Sequence, residues 1–305
     1  MLYNHVALIG LGLISSSIAL SIRRKDKNVR ITGTSRSHET RLKAAELGIC
    51  EVVENSVEAV KGADLIILCV PVGAMASVVQ DFVSVLEPGV TITDVGSVKV
   101  EVIASITPLL PPEVEFIPGH PLAGTENSGP EAGFSTLFDN RWCLLTPLEE
   151  CSAKSIQRLR FFWEALGAKV DLMDAEHHDL VLAVTSHVPH LIAYTMVGVA
   201  DDLANITKTE VINYSAAGFR DFTRIAASDP TMWRDVFLKN KEASLEILGR
   251  FTEELTVLQR AVRRGDGDLL FEYFTRTRDV RRKILEAGQD TNEPNFGRGK
   301  HGFNL

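Results

Sequence analysis

The chain has 305 residues, enough for two domains with cores of their own. Hydrophobic residues make up 45% and charged residues 24%, as in ordinary soluble globular proteins. A net charge of −8 gives no general affinity for nucleic acid or an anionic membrane, so neither is expected as a partner. Any anionic ligand must be gripped by local arginines. The four cysteines (Cys50, Cys69, Cys143 and Cys151) form no C-x-x-C pair, and reduced thiols in a cytoplasmic protein are the expectation. The stretch from Val6 to Ile22 carries no charge and precedes Arg23-Arg24-Lys25. At about seventeen residues it is short for a membrane span. No basic segment precedes it, and glycines and serines interrupt it, so it reads as a buried strand and helix.

His5 to Ile9 reads as the first strand. Gly10-Leu11-Gly12-Leu13-Ile14-Ser15 follows at once and opens an apolar helix to about Arg24. This is a G-x-G-x-x-G pattern with serine at its last position. Gly10 permits the tight turn, Gly12 admits a pyrophosphate to the backbone, and the third position needs only a small residue. The phosphates would face the N–H groups of Leu13, Ile14 and Ser15 at the helix start. Val29 to Thr34 reads as the second strand and runs out through Ser35 and Arg36. A helix then spans about Thr40 to Leu47. Ala63 to Pro71 is a continuous apolar run, as expected of a central parallel strand buried on both faces, and it leaves Val70 and Pro71 at the ligand-binding edge. A helix from about Ala74 to Leu86 leads to the strand Val90–Val95, and Gly96-Ser97-Val98-Lys99 follows. Val114 to Ile117 reads as a short strand with Gly119-His120-Pro121 in the loop beyond it. A strand near Trp142 to Thr146, a helix from about Ser152 to Leu166 and a strand from Ala168 to Met173 complete the alternation. The fold class is α/β, with an N-terminal Rossmann-type doubly wound parallel sheet over residues 1–173.

Beyond Asp174 the pattern is helical. Ala175 to Val199 is mostly apolar, with Pro189 expected to kink it. Ser228-Asp229-Pro230 is a helix start, and Trp233, Phe237, Asn240, Ser244, Leu248, Phe251, Leu255, Leu258 and Val262 recur at threes and fours with no break before Gly265. Such a helix, of roughly 33 residues, would run about 50 Å. One small domain cannot cover that stripe, which predicts a homodimer packed through an all-α domain over residues 174–288. The polar residues 289–305 are expected to be a disordered tail.

Three clusters carry candidate chemistry. Ser97 and His120 each lie just past a strand, and histidine is the side chain suited to proton transfer near neutral pH. His187 and His190 are three apart and share a helical face. Arg220 and Arg224 alternate with Phe219, Phe222 and Ile225, a context that predicts partly buried arginines able to fork a carboxylate. His177, His178, Asp179, His187 and His190 do not follow the H-E-x-x-H spacing and have no cysteine nearby, so no metal site is expected.

Taken together, Gly10 to Ile14, Asp94 to Lys99, Gly119 to Glu126, Ser186 to His190 and Phe222 to Ala226 resemble the prephenate/arogenate (cyclohexadienyl) dehydrogenases of tyrosine biosynthesis. The resemblance extends from residue 5 to about 288. It departs at Ser15-Ser16, where that family usually has glycines. It implies NAD(P)-dependent oxidative decarboxylation of a cyclohexadienyl dicarboxylate, prephenate or arogenate. It also implies that His120 takes the ring hydroxyl's proton, Ser97 orients the other nitrogen of His120, and Arg224 holds the ring carboxylate. His190, with Thr125 and Glu126, would surround the substrate side chain, and His187 belongs to the same cluster. Alternatives are another β-hydroxyacid-type dehydrogenase or a regulator that binds dinucleotide without turnover. For the cofactor, no acid follows the second strand until Glu39, while Ser35 and Arg36 are groups that a 2′-phosphate would want. The expectation is NADP, with NAD tolerated.

Overall fold

The computed structural model describes residues 2–125, 127–202 and 214–286. The predicted tail at 289–305 lies outside them. The chain divides into two compact units, residues 1–247 and 248–305.

In the first unit, β1 (His5–Ile9), β2 (Arg30–Thr34), β3 (Glu51–Val52), β4 (Leu65–Leu68), β5 (Thr91–Asp94) and β6 (Glu115–Phe116) form one sheet. All pairings are parallel and the order is β3-β2-β1-β4-β5-β6. The strands read as apolar runs because both faces are covered. Side chains alternate across a strand, so Val6, Leu8, Leu65 and Ile67 join Ile18 and Ile22 of helix α1 (Leu13–Lys25) on one side. Ala7, Ile9, Ile66 and Leu68 face the other way, onto Met75, Val79 and Phe82 of α4 (Met75–Phe82) and Val102 and Ile106 of α5 (Val100–Ile106). Between these lie α2 (His38–Glu46), capped by Ser37, and α3 (Ser56–Val60), capped by Asn55. Strand order reverses between β1 and β4. In open α/β sheets that is the crevice where ligands bind.

The parallel sheet ends at Phe116. The chain then crosses into a second, three-stranded sheet: β7 (Gly119–Pro121), β8 (Trp142–Leu145) and β9 (Lys169–Leu172), with β7 antiparallel to β8 and β9 parallel to it. The strand–helix alternation alone did not reveal this change of sheet. His120, expected in a loop, is held in β7 with Leu144 as its ladder partner. Helix α6 (Ala153–Ala165) packs Leu159, Phe162 and Trp163 into the first core.

Residues 175–202 form one helical run: α7 (Ala175–Leu182), a π-helical turn (Ala183–His187) and α8 (Val188–Asp202). Pro189 has no N–H to return to the preceding turn, and the helix widens immediately before it. Next come α9 (Ala217–Thr223), α10 (Pro230–Lys239), α11 (Lys241–Arg264) and α12 (Gly267–Glu286). The predicted unbroken helix from Pro230 to Gly265 is interrupted at Asn240, whose backbone leaves helical geometry at φ −113°, ψ 45°. Its amide turns inward and donates to the Asp179 carbonyl and to His187 Nδ1, both on the distant 175–202 helical run. Of the two helices that replace it, the longer, α11, has 24 residues and runs about 36 Å. The second unit comprises the rest of α11 and α12, joined at Gly265 (φ +68°).

Candidate active site

Gly10 ends β1 at φ +101°, and a Cβ there would stand 2.5 Å from the Cys69 carbonyl oxygen at the end of β4. Only glycine fits that turn. Gly12 is different: its backbone is extended at φ −118°, and a Cβ would meet no protein atom within 4 Å. The space over Gly12 lies at the start of α1, where unpaired N–H groups favour an anion. Leu13 and Ile14 are half-buried in the first turn. Ser15 is buried and its hydroxyl closes on Gly12, accepting from the Gly12 N–H at 2.8 Å and donating to its carbonyl at 3.1 Å. Serine thus replaces glycine by satisfying itself locally. Ser35 (half-buried) and Arg36 (exposed) follow β2, while Val70 (half-buried) and Pro71 (exposed) follow β4. All the expected cofactor residues therefore lie at the carboxyl edge of β1, β2 and β4. Arg41 was missed. From α2 its guanidinium donates to the Ser35 and Arg36 carbonyls and pairs with Glu54 at 2.7 Å, which pins the loop after β2.

His120 is 7% exposed. Its Nδ1 lies 2.9 Å from Nε2 of His178 on α7, and His178 Nδ1 lies 2.8 Å from Asp179 Oδ1. The carboxylate of Asp179 also accepts from the Lys99 and Val100 N–H groups, at 2.8 and 3.0 Å. Those bonds fix the tautomers. Asp179 accepts, so His178 Nδ1 carries a proton; His178 Nε2 then accepts from His120 Nδ1–H. The Nε2 of His120 is left as a lone pair with no protein partner among the described residues. Burial, then the neighbouring His178, Lys99 and His187, hold the His120 imidazole well below its usual pKa, so it stays neutral at neutral pH. Burial likewise pushes His178 down, against the pull of Asp179.

This arrangement changes the expected role of Ser97. The nitrogen it was to orient is taken by His178, and Ser97 sits half-buried on the loop after β5. His187 is fully buried, its Nδ1 accepting from Asn240 at 3.0 Å and its pKa lowered by burial to about 4. It supports the site from behind, where a substrate contact had been expected. His190 is half-buried, donates from Nδ1 to the Ser186 carbonyl at 2.8 Å and stacks on Trp233 at 3.7 Å between ring centroids. Burial lowers its pKa, against the Ser186 hydrogen bond, which raises it, and the Arg224 cation adds to the lowering. Arg220 and Arg224 are both exposed, contrary to the partial burial that the interleaved aromatics suggested. Thr125 is exposed and accepts from the Asn127 N–H, and Glu126 lies outside the described residues.

Comparison with known proteins fits this geometry. The family model described as prephenate dehydrogenase, nucleotide-binding domain, matches residues 18–172, and the one described as prephenate dehydrogenase, dimerization domain, matches 174–276. The chain belongs to the prephenate dehydrogenase family. A cyclohexadienyl dehydrogenase of Zymomonas mobilis is 42% identical over 92% of this chain and 95% of its own. A prephenate dehydrogenase of Bacillus subtilis is 35% identical over 91% of this chain and 75% of its own. A prephenate dehydrogenase from Aquifex aeolicus, solved with hydroxyphenyl propionate and NAD+, superimposes with a TM-score of 0.84 at 33% identity, covering 92% of this chain and 98% of that one. The nucleotide-binding match begins inside α1 and covers β2 to β9, and the dimerization match begins just before α7 and ends within α12.

Proposed function

We infer that the chain is a nicotinamide-dependent dehydrogenase that oxidatively decarboxylates prephenate or arogenate in tyrosine biosynthesis. The hydrogen-bonded chain Asp179–His178–His120 carries the reading, because it leaves a neutral imidazole with a free Nε2 lone pair beside the ligand edge of the sheet. The open space at Gly12 and the positive-φ turn at Gly10 fit a dinucleotide, with Leu13, Ile14 and Ser15 at its phosphates and Val70 and Pro71 beside it. The bound cofactor supplies the hydride acceptor.

His120 Nε2 accepts the proton of the ring hydroxyl. That hydroxyl becomes a carbonyl as hydride leaves, and its rising acidity suits a weakly basic imidazole. The imidazolium that forms keeps its Nδ1–H on His178, whose own Nδ1–H rests on the Asp179 carboxylate. Arg224 grips the ring carboxylate, which departs as carbon dioxide when the ring becomes aromatic. His190 and Thr125 flank the substrate side chain, and Ser97 sits on the loop beside the reacting edge. Following reduction of the cofactor at 340 nm with prephenate and with arogenate tests the reading. Turnover of either supports it. Turnover of only simple β-hydroxyacids, or none, overturns it.

For the cofactor, the reading favours NADP while allowing NAD. The loop after β2 offers Ser35, the exposed Arg36 and the anchoring Arg41, with no acid before Glu39. Arg36→Ala is expected to cost kcat/KM for NADP about tenfold and to spare NAD, the loss of one charge-assisted contact. A wild type that prefers NAD tenfold or more, with the ratio unmoved by the substitution, would defeat the NADP preference.

A homodimer follows from exposed apolar side chains rather than from helix length. Val184, Met196, Val197 and Val199 are exposed along the run to Asp202, as are Phe271 (73%), Phe274, Val280 and Ile284 on α12. Surfaces of this kind on a dimerization domain are expected to pack on a second copy in the cytoplasm. Sedimentation at micromolar concentration should give a dimer, and a monomer would exclude the assembly.

A further inference from the structure

Lys99 and Asp94 are both 0% exposed and form an ion pair away from solvent. Burying two charges is costly and seldom adds stability, so the pair calls for another explanation. Its contacts supply one. Lys99 Nζ donates to Asp94 and, at 2.7 Å, to the Gly119 carbonyl, the peptide that precedes His120. Asp94 accepts from the Gly96 N–H at 2.8 Å and from the Gly119 N–H at 3.2 Å. The Lys99 backbone N–H donates to Asp179, the last member of the histidine chain. Between them, Lys99 and Asp94 therefore touch Gly96 of the Ser97 loop, the strand that carries His120, and the carboxylate that sets both histidine tautomers. Space is tight as well: a Cβ at Gly96 would stand 2.9 Å from Asp94 Oδ2, and one at Gly119 would stand 3.0 Å from the Asp94 carbonyl oxygen.

We propose that Lys99, through its buried pair with Asp94, is a positioning residue that fixes β7 and the loop after β5 in one register and lends a positive charge to the surroundings of His120. The proposal rests on His120 being the base in the reaction proposed above. The groups facing His120 are His178 and Asp179 from α7, Lys99 and Asp94 from β5 and its loop, His187 from the π turn, and the Cys143 thiol from β8, which burial keeps protonated. Among them, Lys99 is a cation that disfavours a second positive charge on His120. Burial pushes the Lys99 ammonium down while Asp94 pulls it back, so the pair must be tested together.

The test uses the full-length chain as Lys99→Met and as the double variant Asp94→Asn/Lys99→Met. The second leaves no unpaired buried carboxylate and keeps one amide oxygen, which can accept from either the Gly96 or the Gly119 N–H, the two that Asp94 serves through separate oxygens. In the variants that melt and sediment as wild type, kcat is expected to fall about tenfold or more, since small displacements of a catalytic group are costly, with the KM for cofactor little changed. With the cation gone, His120 protonates more readily, so the acidic limb of kcat/KM should move to higher pH. The His120 ring resonance, assigned by its loss in His120→Asn, should titrate at higher pH in the same way. A folded double variant with unchanged kcat and limb would overturn the proposal. A lower kcat with limb and resonance unmoved would also overturn it, leaving Lys99 a purely structural role. If the wild type turns over neither substrate, the functional reading fails. The resonance still reports in that case: a shift on losing Lys99 would uphold its charge effect, and none would refute it.

Discussion

His120→Asn is expected to lower kcat by ~10²–10⁴-fold, the usual worth of a positioned general base, while leaving cofactor affinity close to wild type. The asparagine still fills part of the space in β7 and can still bond His178, but it has no lone pair basic enough to take a proton. The effect belongs in kcat because the proton moves only as hydride leaves. Cofactor affinity should hold because the Gly10–Ser15 turn contributes none of its contacts to His120. Steady-state kinetics with prephenate check this, and near wild-type turnover would remove His120 from the mechanism.

Arg224→Ala is expected to act on the other parameter. The guanidinium is exposed in the free protein, beside His190, and there its charge is worth little. In the proposed reaction a bound substrate covers it, and the same group would then make a charge-assisted fork to the ring carboxylate, worth roughly 1.5–3 kcal/mol when desolvated. The KM for prephenate should therefore rise about tenfold or more. An unchanged KM would transfer the clamp to Arg220.

The parts of the fold most legible in the sequence were those where one physical requirement dominates. β1 and β4 are buried on both faces and had to be continuous apolar runs; Gly10 stands where no side chain fits. The crossing from β6 to β7 was hidden because a two-residue strand, one linking dipeptide and a three-residue strand read as a single short segment. Asn240 passed as one more member of a helical stripe. Its effect depends on the Asp179 carbonyl and His187, groups more than fifty residues away in the chain. The same distance concealed the partner of His120. His178 and Asp179 stood out as possible metal ligands, yet only the fold shows that their polar groups run in series to the His120 imidazole. Lys99 looked like a motif residue at the end of a loop, and nothing local announces that it is fully buried.

The central claim is that His120 works as a neutral imidazole held so by its surroundings, and the pH dependence of kcat/KM for prephenate tests it most directly. His120 is pushed well below its ordinary value of 6.5. The free enzyme's base therefore loses its lone pair only as pH falls through that lowered value. The account predicts a plateau through neutrality and an acidic limb below pH 6.5 that vanishes in the residual activity of His120→Asn. An acidic limb centred at or above the unperturbed histidine value, or one that persists unchanged in His120→Asn, would contradict it.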